Sequence, residues 1–146
     1  MRTYRWTILL ATCILAALAG DAAAQHAAST SIRSTQSGVY TAEQALRGRD
    51  VYAGMCQSCH TAVSHAGPLF QATWGGRPLS ELFTFIIERM PKNDPGSLSR
   101  EEYADVLAYL LKMNQMPEGL VELAPDSTAL RTIRIETARS SSAHPR

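Results

Sequence analysis

The chain has 146 residues, 45% hydrophobic and 18% charged, values that suit a globular protein of one domain. Fourteen basic and thirteen acidic side chains leave a formal net charge of +1, which argues against a nucleic-acid-binding role.

The N-terminus does not read as part of that globule. Arg2 and Arg5 precede an uncharged apolar run from Trp6 to Ala19, and Ala22, Ala23 and Ala24 supply small residues before Gln25. This is the layout of a secretory signal peptide over residues 1–24, with a retained membrane anchor as the alternative. The apolar run is short for a membrane span, so no stable span is expected after cleavage. Cys13 leaves with the signal, and the mature chain of about 122 residues keeps two cysteines, Cys56 and Cys59. The expected location is the periplasm.

Residues 25–38 are rich in Ala, Ser, Thr and Gln without an apolar period and read as a flexible leader. Residues 39–119 carry the long periodic segments and form the expected domain. Residues 120–146 read as a C-terminal extension, partly disordered.

Three helices are predicted in the domain, and the fold class is all-α. The first starts near Thr41, with Gln44 as its capping-box partner, and runs toward Met55. Gly48 is unusual in its middle, where it costs on the order of 1 kcal/mol against Ala. The second helix carries Leu79, Leu82, Phe83, Ile86 and Ile87 on one stripe, between Pro78 in its first turn and Pro91 at its end. The third starts at Ser99, boxed by Glu102, carries Tyr103, Val106, Leu107, Leu110 and Leu111, and ends near Asn114. The segment from Thr61 to Arg77 reads as a long loop of small residues. So small a core calls for a staple, and a large apolar group at its centre would serve.

Between the first helix and that loop stands the stretch Cys56-Gln57-Ser58-Cys59-His60. Three chemistries use two cysteines at this spacing. A zinc site needs four ligands, and the other histidines are His65, in the loop, and His26 and His144, near the termini. A thioredoxin-like pair belongs in a βαβ setting, and a plain disulfide is the simplest use in an oxidising compartment. C-x-x-C-H itself reads as covalent haem attachment. The two thiols, one helical turn apart, each add to a vinyl group of the porphyrin, and His60 is carried to the iron as an axial ligand. One haem c bound through Cys56 and Cys59 is the expected cofactor.

The stretches "RGRDVYAGMCQSCH", "GPLF", "MPKNDPGSLS" and "YADVLAYLLKMNQMP" resemble, in order, the class I mono-haem c-type cytochromes. They are most similar to the periplasmic cytochrome c domains associated with quinoprotein dehydrogenases. The resemblance implies a small cytochrome c-like fold, three main helices and long loops wrapped around one haem with His and Met axial ligands. Thr61 follows His60 where a glycine is common in this group.

Among Met55, Met90, Met113 and Met116, Met90 matches the family's Met-Pro position and leaves its helix at Pro91. Met55 adjoins the attachment cysteine, and Met113 and Met116 end the third helix. By the same resemblance the Pro68 carbonyl accepts the other ring N–H of His60, and Gly48, Tyr52 and Tyr109 belong to a tight crossing of the first and last helices. Leu69 and Phe70 are expected against the ring edge, and Trp74 and Arg77 are candidate donors to a haem propionate. His65 reads as a surface residue. The implied function is electron transfer rather than catalysis. A quinoprotein-type dehydrogenase would be the donor and an oxidase or another cytochrome the acceptor. The alternative is an open-site haem protein, peroxidase-like or gas-sensing, if Met90 is not a ligand.

Overall fold

The computed structural model describes residues 32–136. The expectations for a signal peptide over 1–24 and for the last ten residues lie outside them. Five helices are present in this range: α1 (Ala42–Met55), α2 (Gly67–Trp74), α3 (Leu79–Arg89), α4 (Arg100–Met113) and the short α5 (Ser127–Leu130). Two-residue strands, β1 (Arg33–Ser34) and β2 (Ile133–Arg134), pair in parallel, with Arg33 opposite Ile133 and Ser34 opposite Arg134. The fold is mostly helical, as expected of a small cytochrome c-like domain.

Helix α1 begins where Thr41 Oγ1 accepts from the N–H of Gln44 at 3.1 Å. The reciprocal half of the expected capping box does not form. Gln44 is 2% exposed, and its amide group instead donates to the Leu123 carbonyl at 3.1 Å and accepts from the Leu123 N–H at 2.8 Å. A buried amide must satisfy both its donor and its acceptor, and a main-chain N–H and C=O together do that better than one helix-end N–H. In α4 both halves of the box form, Ser99 Oγ accepting from Glu102 N and Glu102 from Ser99 N.

Helices α1 and α4 cross in backbone contact. A Cβ placed on Gly48 would stand 1.8 Å from the Asp105 carbonyl oxygen and 2.9 Å from Val106 N. Beside the crossing, Arg47 reaches both carboxylate oxygens of Asp105, at 2.9 and 3.0 Å, and Glu122 at 2.9 Å. Tyr52, Val106 and Leu110 are buried alongside, packed by Tyr109. The larger core joins the stripes of α3 and α4: Leu79, Leu82 and Phe83 meet Tyr103, Leu107 and Leu111, closed by Tyr40 and Met116.

Three sequence expectations change here. The Thr61–Arg77 segment is not a plain loop: it contains a 3-10 turn (Ala62–His65) and α2. Pro68 stands in the first turn of α2, and Phe70 and Trp74, four apart, are its inward-facing pair. Nor are the described parts of the leader and of the C-terminal extension loose. Thr35 is fully buried and exchanges hydrogen bonds with the Glu136 main chain at 2.9 Å. Leu123, Leu130, Ile133 and Ile135 are each at most 3% exposed, and Ile135 is bonded through its main chain to Gly76 and Arg77. The domain therefore extends past both expected boundaries, because apolar side chains without helical periodicity still cap the core.

Gly48→Ala tests the crossing. Helix propensity alone would favour Ala by about 1 kcal/mol. The clash with main chain outweighs it, and a net loss of about 1–3 kcal/mol is expected from overpacking, seen as a lower denaturation midpoint. A stabilised variant would contradict the close approach.

Candidate functional site

The last turn of α1 sets the geometry of the motif. Cys56 caps the helix, its N–H donating to the Tyr52 carbonyl at 2.9 Å. Its own carbonyl then accepts from Cys59 N at 3.1 Å and from His60 N at 2.9 Å. The chain is thus wound through one more turn, which keeps both thiols and the imidazole close together. Cys56 and Cys59 are not joined to each other.

These three residues form part of the wall of a cavity of about 880 Å³, counting the part that opens to solvent. The walls are largely apolar: Phe70 and Trp74 from α2, Leu82, Phe85 and Ile86 from α3, Leu98, and Val106 and Leu110 from α4. Met90 and Pro91 complete them.

Met90 leaves α3 in extended backbone, φ −134° and ψ 149°, after its N–H closes the helix on Ile86. The Tyr103 hydroxyl donates to the Met90 carbonyl at 2.7 Å and accepts from Gly96 N at 3.0 Å. One phenol therefore ties both ends of the 90–96 loop to α4. Sequence reading took Tyr103 only as a member of an apolar stripe, since its hydroxyl partners are set by the loop's fold.

Of the other methionines, Met116 is 3% exposed in the main core and Met113 packs against the Tyr52 cluster; neither lines the cavity. Met55 does line it, next to Cys56, and is 44% exposed.

The remaining expected site residues divide. Trp74 lines the cavity, edge-on to Phe85 with ring centroids 5.4 Å apart. Arg77 does not: it bonds Glu81 at 2.7 Å, and its guanidinium lies over the Trp74 ring, 4.7 Å from the ring's centroid. Leu69 is 60% exposed, because Phe70 takes the inward position on α2. Pro68 is exposed in the first turn of α2. His65, expected at the surface, is half-buried in the cavity wall with its ring centroid 4.5 Å from that of His60.

The donor set decides between the three chemistries. Burial pushes the Cys56 thiol above its ordinary range, the opposite of what activates a redox cysteine. Among the described residues, no three His, Cys, Asp or Glu side chains are gathered as a metal cage. A large, apolar macrocycle fits. It would be held by two thioether bonds to Cys56 and Cys59, with imidazole and thioether side chains in reach of its metal. The Tyr52 hydroxyl adds to the fit: it lies at the cavity wall, and it is the buried side-chain polar atom without a hydrogen-bond partner among the described residues. A buried hydroxyl is expected to find one.

Residues 43–110 match the family described as cytochrome c oxidase, cbb3-type, subunit III. The matched segment runs from α1 to α4 and takes in Cys56, Cys59, His60 and Met90. Comparison with curated proteins and with solved structures gave no match. The family match supports a c-type cytochrome that carries covalent haem c and serves haem-based electron transfer.

Replacing Cys56 and Cys59 together by Ala should abolish covalent haem and leave a domain without its central packing. The check is a pyridine haemochrome spectrum beside a thermal melt; a well-folded, haem-free product at normal yield would contradict the assignment. Tyr103→Phe should lower stability by about 1–3 kcal/mol, since the Met90 carbonyl and Gly96 N–H lose a buried partner. Denaturant unfolding of the holoprotein measures it.

Proposed function

We propose that this protein is an exported, class I type mono-haem electron carrier of the periplasm. In this reading His60 and Met90 are the axial ligands of the haem. It takes one electron from a dehydrogenase, of the quinoprotein type by resemblance, and passes it toward the respiratory chain through an oxidase or another cytochrome. The observation that carries this reading is that the C-x-x-C-H turn and Met90, thirty residues apart in sequence, wall the same cavity.

Each residue has a defined task. Cys56 and Cys59 fix the group in one orientation. His60 supplies nitrogen and Met90 a thioether, a pairing that raises the potential and leaves no coordination position for a substrate. The apolar walls from α2, α3 and α4 exclude water. Tyr103, through the Met90 carbonyl, holds the thioether segment against departure. The bound haem supplies the one-electron change itself. A site closed in this way supports an electron carrier rather than an enzyme.

Export rests on the signal-like start of the chain, Arg2 to Gln25. Among the described residues no helix is long and apolar enough to cross a membrane. Docking is proposed at the solvent-open side of the cavity, where Met55 and Phe85 line it and remain 44% and 43% exposed. Seven basic and nine acidic side chains between Val39 and Glu118 leave little net charge for steering. The bimolecular rate with a redox partner should accordingly fall only weakly with added salt.

Met90→Ala tests the ligand set. Haem should remain covalently attached, while the near-infrared sulfur-to-iron band disappears and the reduction potential falls. The variant should also bind carbon monoxide or cyanide, which the wild type should resist. Met113→Ala and Met116→Ala should keep the band and cost stability only, about 2–5 kcal/mol at the buried Met116 if its site cannot relax and less at the partly buried Met113. Ready carbon monoxide binding by the wild type would favour the open-site alternative, a peroxidase-like or gas-sensing haem.

A further inference from the structure

The family match ends at residue 110, but the folded chain continues through α5 and β2. Helix α5 packs on α3, with Leu130 in the same core as Leu79, Leu82 and Phe83. On the outer side of that contact the two helices border a groove of about 710 Å³, open to solvent. Phe85 lines both this groove and the haem cavity, and it is the residue they share. The groove is thus built by joining a helix of the matched segment to one that lies beyond it.

Its size suits a piece of chain. The face of α3 that lines it rises from Ser80 to Arg89, about 13 Å along the helix axis. That is the span of roughly four residues of extended chain. Ser80, Thr84 and Ser127 bring hydroxyls to it, which can serve either the N–H or the C=O of a main chain. Phe85, 43% exposed, offers an aromatic face at the end next to the cavity.

The charge is of one sign in excess. Three arginines and two glutamates line the groove, whereas residues 32–136 together hold ten basic and twelve acidic side chains. Arg77 is already bound to Glu81 and stacked on Trp74. Arg89 and Arg131 are exposed and belong to none of the ion pairs among the described residues. Asp126, five positions before Arg131, turns its two oxygens to the N–H groups of Thr128 and Ala129, at 3.1 and 3.0 Å, and caps α5 instead. Glu88 is the other carboxylate in the groove, and it leaves one positive charge over. Exposed arginines beside an exposed aromatic ring are what protein partners most often anchor on.

We propose that the α3–α5 groove is a docking site for a partner protein, which lays an extended acidic segment in it. Acidic side chains of that segment face Arg89 and Arg131, and an apolar one covers Phe85. Glu88 repels an acidic side chain placed in the wrong register, which adds specificity. The proposal goes beyond the electron-carrier reading and does not rest on the axial ligands. A partner held here reaches the cavity wall at Phe85 and leaves the side at Met55 free for a second protein.

The test uses the reduced, covalently loaded protein and follows its amide NMR signals. One probe is a peptide of alternating glutamate and leucine, and its control alternates lysine and leucine. The acidic peptide should move the signals of α3's outer face and of α5 saturably, and bind at least about tenfold tighter than the basic one. Arg89→Gln with Arg131→Gln should weaken that binding by about tenfold or more. Arg49→Gln with Lys112→Gln, the same change in net charge outside the groove, should leave it as it was.

Equal binding of the two peptides, no saturable shift at millimolar peptide, or unchanged affinity in the Arg89 and Arg131 variant overturns the proposal. If that variant fails to fold, the comparison of peptides on the wild type decides. Inorganic phosphate that moves the same signals as tightly as the acidic peptide makes this a site for small anions. The same shifts on concentrating the protein alone make it an interface between copies of the chain. Either result overturns the acidic-segment reading.

Discussion

Everything in this domain hangs on the distance between two helices. At Gly48 the backbone of α1 approaches that of α4 so closely that a single methyl group would overlap the Asp105 carbonyl. That contact puts the last turn of α1, with Cys56 at its cap, beside Tyr52, Val106 and Leu110 on one side of the cavity. It also places the end of α4, where Asn114 bonds to the chain around Ala66, within reach of the motif. A wider crossing would move the cysteines away from the walls supplied by α3 and α4. Arg47, bridging Asp105 and Glu122, reinforces the same contact from the solvent side, where a single ion pair contributes little, about 0–1 kcal/mol.

What could be read from the residues was what is local. The stripe of α4 and its Ser99–Glu102 box lie within one segment, and the structure reproduces both. The C-x-x-C-H turn is equally local, five consecutive residues whose spacing carries its chemistry. What could not be read depends on partners far along the chain. The amide of Gln44 bonds Leu123, 79 residues on, so its apparent role in a capping box was only half right. Leu69 and Phe70 are neighbours with similar hydrophobicity, and only the path of α2 decides that Phe70 points inward. Arg77 has a nearer carboxylate, Glu81, one turn along α3.

His65 illustrates the limit most clearly. A single histidine in a small-residue stretch has no periodicity to mark it as inward-facing. Its placement follows from a hydrogen bond to an asparagine 49 residues away, at the end of a helix otherwise notable only for its apolar stripe. Tyr103 is similar: its ring obeys the stripe, and its hydroxyl serves a loop on another element. In both cases the side chain's type limits what it can do, and the tertiary structure selects the partner.

The parallel pairing of β1 with β2 has an architectural consequence. Arg33 and Ile133, a hundred positions apart, stand side by side, so the chain enters and leaves the haem-bearing body at one point. A body of this kind can be spliced into a host protein, or hung from one, without prising the host's chain apart. Because the entry and exit coincide, a tether on either flank would give the redox centre nearly the same reach. The local concentration of a partner fixed to the same tether would then depend on linker length rather than on which end carries it.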